Sequence, residues 1–132
     1  MTHHERFVGD EYPSIGFTWY DWDTTTEQDV VADLATGWTG TVRIWHPDRG
    51  PTVVLRVGEG CTMDDADPNH IWTPTAADDA ALVTAWGKTL PADGTVFLIE
   101  PYIFQTATPT VNRRWRGEPD TMRLFPAQTL PS

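Results

Sequence analysis

The chain has 132 residues, of which 39% are hydrophobic and 21% are charged, a balance typical of one globular domain rather than a disordered segment. Its formal net charge of −10 argues against nucleic-acid binding, which needs a basic surface. A single cysteine, Cys61, excludes an intramolecular disulfide and a cysteine-rich zinc site. No apolar run reaches the roughly 20 residues of a membrane helix, so no membrane association is predicted.

Taken in order, residues 1–12 are polar and predict an N-terminal arm, followed by one domain over residues 13–126 and a short tail at 127–132. The first strand is predicted over residues 15–23, because Ile15, Phe17 and Trp19 alternate with other residues and share one face. A polar loop follows this strand, and residues 30–34 predict a short strand or half-turn.

Residues 33–48 combine a turn, a strand and a second turn. Gly37 and Gly40 allow the positive φ of a tight turn. Val42 and Ile44 then alternate with Arg43 and Trp45, the period of a half-buried strand over residues 41–46. Residues 47–51 predict a turn into a hairpin partner at 52–57. This close spacing of turns and strands is typical of an all-β sandwich.

The second half of the chain predicts short strands at 61–63 and 70–73, then a helix at 76–87 that Thr75 caps and Gly87 ends. The apolar run 95–100 predicts a central strand buried on both faces, which resumes at 102–105 beyond a kink at Pro101. A polar strand at 111–116 and a last strand at 121–126 complete about seven or eight strands.

Several of these motifs resemble a family of small immunoglobulin-like domains of tailed phages, the family that includes the N-terminal domain of the upper baseplate protein. The matching segments are GDEYP at residues 9–13, DLATG at 33–37, VRIW at 42–45, IWTPTAAD at 71–78 and MRLFP at 122–126. Two stretches depart from the family pattern: the helical stretch after residue 78 and the long region 106–117. The resemblance implies an Ig-like β-sandwich, into which the residues themselves predict one short helix inserted near residues 76–87.

The resemblance also implies a function. It suggests a non-enzymatic structural protein of a tailed-phage virion, in the tail, baseplate, head–tail connector or capsid exterior. Such a protein assembles in the host cytoplasm and contacts other virion proteins and copies of itself in a symmetric assembly. It needs no cofactor, and the family supplies no catalytic residues to carry over.

The residues themselves do not predict an enzyme or a metal centre. Residues 65–69 match the start of a calcium loop, but His70 stands at the position of the required glycine and Ala76 at that of the bidentate glutamate. His46 and His70 have no zinc-ligand spacing, and we expect them to be packing or surface side chains. Cys61 is expected to be a buried structural thiol.

Seven tryptophans are an unusual number for a chain of this length. We expect Trp19, Trp72 and Trp86 in the core, and the remaining four on outer faces or loops. Tryptophan and arginine are the residue types most enriched at interface hot spots, and residues 1–105 are strongly acidic whereas residues 106–132 carry a net charge of +2. The predicted partner-contact residues are Arg113, Arg114, Trp115, Arg116, Trp45 and Trp22.

Two other functions remain open. Exposed tryptophans also form stacking platforms for sugars, so a carbohydrate- or host-binding module is one alternative. An acidic protein that mimics DNA is the other, and it requires acidic side chains at regular spacing along one face.

Overall fold

A computed structural model describes residues 2–10, 14–55, 61–110 and 112–128. These residues form eleven β-strands and one α-helix: β1 His3–Phe7, β2 Ile15–Phe17, β3 Tyr20–Asp23, β4 Gln28–Val31, β5 Trp38–His46, β6 Arg49–Leu55, β7 Cys61–Met63, β8 His70–Trp72, α1 Ala76–Trp86, β9 Thr95–Gln105, β10 Arg113–Arg114 and β11 Asp120–Phe125. The end of the predicted strand at 52–57 and part of the tail at 127–132 lie outside the described residues.

The largest sheet has six strands in the order β1-β11-β9-β5-β6, and the short β10 pairs with β9 beyond the end of β11. Its strand pairs are antiparallel except for β1 with β11. A three-stranded sheet, β2-β8-β7, and a two-stranded hairpin, β3-β4, complete the β structure. The predicted all-β class is confirmed, although the described strands outnumber the seven or eight expected.

The main core lies between one face of the six-stranded sheet, here called the inner face, and a layer made of β2-β8-β7 and α1. The core residues are Ile15, Phe17, Val42, Ile44, Trp72, Leu82, Trp86, Leu90, Phe97, Ile99, Met122 and Leu124. A smaller cluster of Trp19, Ala32, Leu34 and Ile103 lies at the base of the β3–β4 hairpin. The three tryptophans expected in the core are there.

Alternation along the strands explains this arrangement. In β5, Val42 and Ile44 are fully buried while Arg43 and Trp45 are half-buried on the opposite, outer face of the sheet. Strand β9 also alternates over residues 95–100, where Phe97 and Ile99 are buried and their neighbours half-buried, so the prediction that this run is buried on both faces is wrong. Burial on both faces begins beyond it, at residues 101–103. Strand β9 runs through Pro101 without ending, and this residue lies opposite Val42.

The N-terminal residues differ from the predicted arm. His3–Phe7 forms β1 and pairs in parallel with β11 at the edge of the six-stranded sheet. Arg6 points to the inner side, where its Nη2 donates to Asp79 Oδ2 of α1 at 2.6 Å and its Nε donates to Oδ1 at 3.2 Å. Both side chains are almost fully buried. A buried charge is tolerated only when it is paired, and the arginine therefore joins the N-terminus to the helix.

The helix forms as predicted. Thr75 caps it by accepting a hydrogen bond from the Asp78 backbone N–H, while the Asp78 carboxylate accepts one from the Thr75 backbone N–H. Gly87 adopts the left-handed conformation that ends many helices, with φ of 72°. Leu82 and Trp86, one turn apart, bury the inner side of the helix in the main core.

The predicted first strand is divided into β2 and β3 because Trp19 bonds to a side chain between them. The buried amide of Asn69 accepts from the Trp19 N–H at 2.8 Å and donates to the carbonyls of Trp19 and Ala32, both at 2.9 Å. The main chain of Trp19 is therefore satisfied by this amide and by the Ala32 N–H, 2.9 Å from the Trp19 carbonyl. The chain leaves the small sheet at this residue and enters the β3–β4 hairpin.

Candidate functional site

A surface groove of about 720 Å³ separates the β3–β4 hairpin from the segment 112–116. We call it the hairpin groove. It contains residues from regions far apart in the sequence, which the pairing of β10 with the end of β9 brings beside the hairpin. Its lining residues are Thr18, Trp19, Tyr20, Asp21, Trp22, Asp29, Asn112, Arg113, Arg114, Trp115 and Arg116.

The hairpin wall of the groove is apolar and acidic. Tyr20 and Trp22 are 53% and 61% exposed, and Val30 on the paired strand is 40% exposed. They are the exposed large hydrophobic residues of the described part of the chain. Tyr20 and Trp22 share one face of β3, whereas Val30 lies opposite Asp21 on the other face of the hairpin. Soluble domains seldom leave neighbouring aromatic side chains uncovered unless they bind something.

Local hydrogen bonds hold the hairpin turn. The carboxylate of Asp23 accepts from the backbone N–H of Thr25 at 2.9 Å, and this bond holds the pKa of Asp23 below its ordinary value. Glu27 takes a left-handed conformation with φ of 54° at the end of the turn. In the two strands Trp22 lies directly opposite Asp29, so an aromatic ring and a carboxylate are neighbours on one face of the hairpin.

The opposite wall is basic. Arg113 crosses the groove and donates from Nη1 to Asp21 Oδ1 at 2.8 Å, and its guanidinium also lies 5.3 Å from the centre of the Trp38 ring. Arg114 and Arg116 are exposed, and neither forms an ion pair with any described residue. Two cationic side chains therefore stand at the groove without an acidic partner in the described part of the chain.

The prediction that Trp115 lies exposed on an outer face or loop is wrong, whereas its role as a partner contact stays a prediction. Trp115 is half-buried, and its ring packs edge-on against Trp19 at 5.2 Å and against Phe17 at 6.0 Å between ring centres. The residue follows the two-residue strand β10, and its side chain fills the space between the two core clusters. Trp115 thus forms the floor of the groove while Arg114 and Arg116 on either side of it face solvent.

Trp45 lies away from the groove. It is half-buried on the outer face of the six-stranded sheet, where it faces Leu98 of β9. The structure therefore brings five of the six predicted contact residues together around one groove and leaves Trp45 on another surface. Tyr20, Asp29 and Asn112 also line the groove, but they are not among the predicted contact residues. Tyr20 could have been predicted, because it stands two residues before Trp22 on the same strand and therefore shares its face.

The outer face beside the groove holds an arginine–tyrosine cluster. The guanidinium carbons of Arg43 and Arg114 lie 4.8 Å and 6.0 Å from the centre of the Tyr102 ring, distances at which cations are attracted to an aromatic face. The Tyr102 hydroxyl donates to Glu100 Oε2 at 2.8 Å. Burial, followed by this carboxylate, raises the pKa of Tyr102. The cluster orients Arg114 at the rim of the groove.

The residues considered for metal binding have structural roles. The amide of Asn69 at the end of the calcium-like motif is turned inward to the main chain. His70 is buried and accepts at Nδ1 from the Trp19 indole N–H, at 3.1 Å. An indole nitrogen can only donate, so the Nδ1 lone pair is used and the ring proton lies on Nε2. That nitrogen is 3.3 Å from Cys61 Sγ.

Burial shifts the pKa values of both members of this pair. It lowers the pKa of His70 to about 4, and it raises the pKa of the Cys61 thiol far above its usual range. The neutral thiol is a poor nucleophile. In the part of the chain that the structure describes, no group of three or more His, Cys, Asp or Glu side chains converges as a metal site.

No protein-family model matches this chain, and no curated protein is significantly similar to it. Among the described residues, no helix is long and apolar enough to cross a membrane.

Proposed function

We propose that this protein is a non-enzymatic structural component of a tailed-phage virion, an Ig-like β-sandwich that binds neighbouring particle proteins through the hairpin groove. The resemblance of several short motifs to the phage domain family supports the virion assignment. The six-stranded sheet with a smaller sheet against its inner face is compatible with the sandwich class. Assembly takes place in the host cytoplasm, and position in the tail, baseplate, connector or capsid exterior depends on which partner the groove receives.

The observation that carries the proposal is the composition of the groove. Tyr20 and Trp22 remain exposed beside Arg114 and Arg116, which have no ion pair within the described chain. Aromatic and arginine side chains at a shared concave surface are the usual centre of a protein interface. A scaffold that binds by a rigid surface needs no reactive group, and repetition by symmetry strengthens modest individual contacts.

The test is recovery of the chain in purified particles. Phage particles made from a genome that carries this sequence should contain the chain in a fixed copy number, measured by quantitative mass spectrometry. A genome encoding Trp22→Ala together with Arg116→Ala should yield particles depleted of the chain, although the free variant stays folded. Asp65→Ala, an exposed substitution outside the groove, should leave incorporation unchanged. Purified particles that lack the wild-type chain would contradict the proposal.

One observation favours carbohydrate binding as a second candidate function. Tyr20 and Trp22 project from the same face of β3, roughly 7 Å apart by the rise of a strand, and Asp29 and Asn112 line the same groove. Stacking rings beside carboxylate and amide groups suit a sugar chain. Saturable quenching of Trp22 fluorescence by host envelope polysaccharide, lost in Trp22→Ala, would support this candidate; no binding across a glycan panel would exclude it.

A further inference from the structure

The two walls of the hairpin groove carry opposite charges that one copy of the chain leaves mostly unpaired. The hairpin, residues 20–31, contains Asp21, Asp23, Glu27 and Asp29 and no basic residue, whereas segment 112–116 contains three arginines. Within one copy the walls share one ion pair among the described residues, between Arg113 and Asp21. Complementary charge is thus present on both sides of the same concave surface.

The hairpin itself is only partly supported by its own chain. It is a two-stranded sheet whose outer strand β4 pairs with β3 alone in the described structure. An isolated two-stranded hairpin is marginally stable in water. Its exposed Tyr20 and Trp22, on one face of β3, give it an apolar surface that a neighbouring molecule can cover.

We infer that the hairpin groove receives the β3–β4 hairpin of a second copy of this chain, in a dimer with a two-fold axis at the groove. Glu27 and Asp29 of each copy then pair with Arg114 and Arg116 of the other, and the Trp22 side chains lie in the seam. This inference rests on the proposed role of the groove as a protein contact and names its partner.

The two-fold arrangement follows from where the charges lie. Asp29 and the arginines line the same groove, and Glu27 lies in the turn of the hairpin that forms its acidic wall. A two-fold axis at the groove therefore places the acidic wall of each copy against the basic wall of the other. A head-to-tail arrangement needs the two sets on opposite sides of the molecule. Glu27, Asp29 and Arg116 form no ion pair or side-chain hydrogen bond with other described residues, so their pairing across the dimer breaks no such internal bond. Arg114 already contacts the Tyr102 ring, which holds its guanidinium at the rim of the groove.

A charge-exchange experiment tests the inference by native mass spectrometry and sedimentation. Variant A is Arg114→Glu with Arg116→Glu, and variant B is Glu27→Arg with Asp29→Arg. Each variant alone opposes like charges and should dimerise about 100-fold more weakly than the wild type, a typical loss for interface charge pairs. An equimolar mixture of A and B restores opposite charges at both contacts and should form a heterodimer.

The matched control is Asp65→Arg with Asp93→Arg, which changes net charge as variant B does but at exposed positions outside the groove. It should dimerise like the wild type. A wild-type chain that stays monomeric up to about 100 μM, dimerisation unaffected in A and B, or a mixture without heterodimer would each overturn the inference. Larger rings or filaments would overturn the two-fold geometry.

These outcomes are distinct from failure of the proposed function. A monomeric chain that is nevertheless recovered in phage particles refutes the dimer and leaves the structural role standing. A charge-exchange heterodimer together with absence from particles supports the dimer and refutes the structural role. Saturable binding of a polysaccharide to a monomeric wild-type chain would assign the groove to a sugar instead.

Discussion

Two arginine-containing regions of this protein differ in how their charges are satisfied. Arg6 is almost fully buried, and its guanidinium contacts the Asp79 carboxylate and the Asp10 carbonyl. Arg114 and Arg116 are exposed at the hairpin groove without an acidic partner among the described residues. The comparison separates a charge that the fold requires from charges that the fold leaves available to a partner.

The Asn69 and His70 side chains, like Arg6, are polar groups that the fold requires. Each is fully buried, and each makes hydrogen bonds that connect distant parts of the chain. Loss of such a group leaves its partners buried and unsatisfied, which is costly. Substitutions in the interior should therefore change stability, while substitutions in the groove should change binding, and the predictions below test that distinction from the largest effect on stability to the smallest.

The largest effect is expected from Asp79→Ala. It removes the carboxylate that accepts from the buried Arg6 guanidinium and, at 2.8 Å, from the Gly9 N–H. The Arg6 guanidinium then keeps the Asp10 carbonyl but has no charged partner among the described residues. Removing one member of a buried ion pair typically costs about 3–5 kcal/mol of unfolding free energy, measured here by urea denaturation. Arg6→Met combined with Asp79→Leu removes both charges and should recover most of the loss. A loss below about 1 kcal/mol would place the pair among weak surface bridges.

Asn69→Ala should cost about 3 kcal/mol, because three hydrogen bonds between the amide and buried main-chain groups are lost at roughly 1 kcal/mol each. The same denaturation measurement applies. Asp65→Ala, in the same loop but exposed, is the control and should change stability by less than about 0.5 kcal/mol. Equal effects of the two substitutions would show that the amide does not hold β3 and β4 in place.

His70 should make stability depend on pH. Its pKa is about 4 in the folded protein and 6.5 when unperturbed, so between these values the unfolded chain binds a proton that the folded chain does not. Stability is therefore full above about pH 6.5 and should fall by about 3 kcal/mol on acidification to pH 4. His70→Gln should flatten this part of the profile. An unchanged profile in the variant would assign the pH dependence to other groups.

Groove substitutions should have the smallest effect on stability. Trp22→Ala and Arg116→Ala remove exposed side chains and should each shift the unfolding free energy by less than about 0.5 kcal/mol. Both should weaken self-association, as sedimentation velocity will measure. A loss of unfolding free energy above about 2 kcal/mol in either variant would mean that the groove side chains stabilise the fold. They would then not differ in role from the buried Arg6.

Much of the β structure could be predicted because alternation and capping are local signals. The burial of Val42 and Ile44, the capped helix and the short strands around residues 61–63 and 70–72 follow from patterns within a few residues. Gly40 is instructive, because it was assigned to a turn and lies inside β5. A Cβ atom there would be 2.6 Å from His70 Nε2 and from Met63 Sδ, so the glycine allows close packing, which a single sequence does not reveal.

The features that could not be predicted depend on contacts between distant residues. A polar N-terminus does not reveal that Arg6 will meet Asp79 seventy-three residues later. Nor does the sequence around Trp115 show that its ring will reach Trp19 while its arginine neighbours stay exposed. The contact residues were found by composition, since tryptophan and arginine are enriched at interfaces, but only the fold shows which of them share one groove.

The central claim is that the hairpin groove is covered by protein in the assembled particle. Hydroxyl-radical footprinting reports this directly, because Trp22 is the most exposed of the large hydrophobic side chains in the described structure. Trp22 should oxidise quickly in the free chain at a dilution where the chain is monomeric, and at least about tenfold more slowly in purified phage particles. The half-buried Trp45, which lies outside the groove, should change less. Equal oxidation of Trp22 in the free chain and in particles would contradict the account.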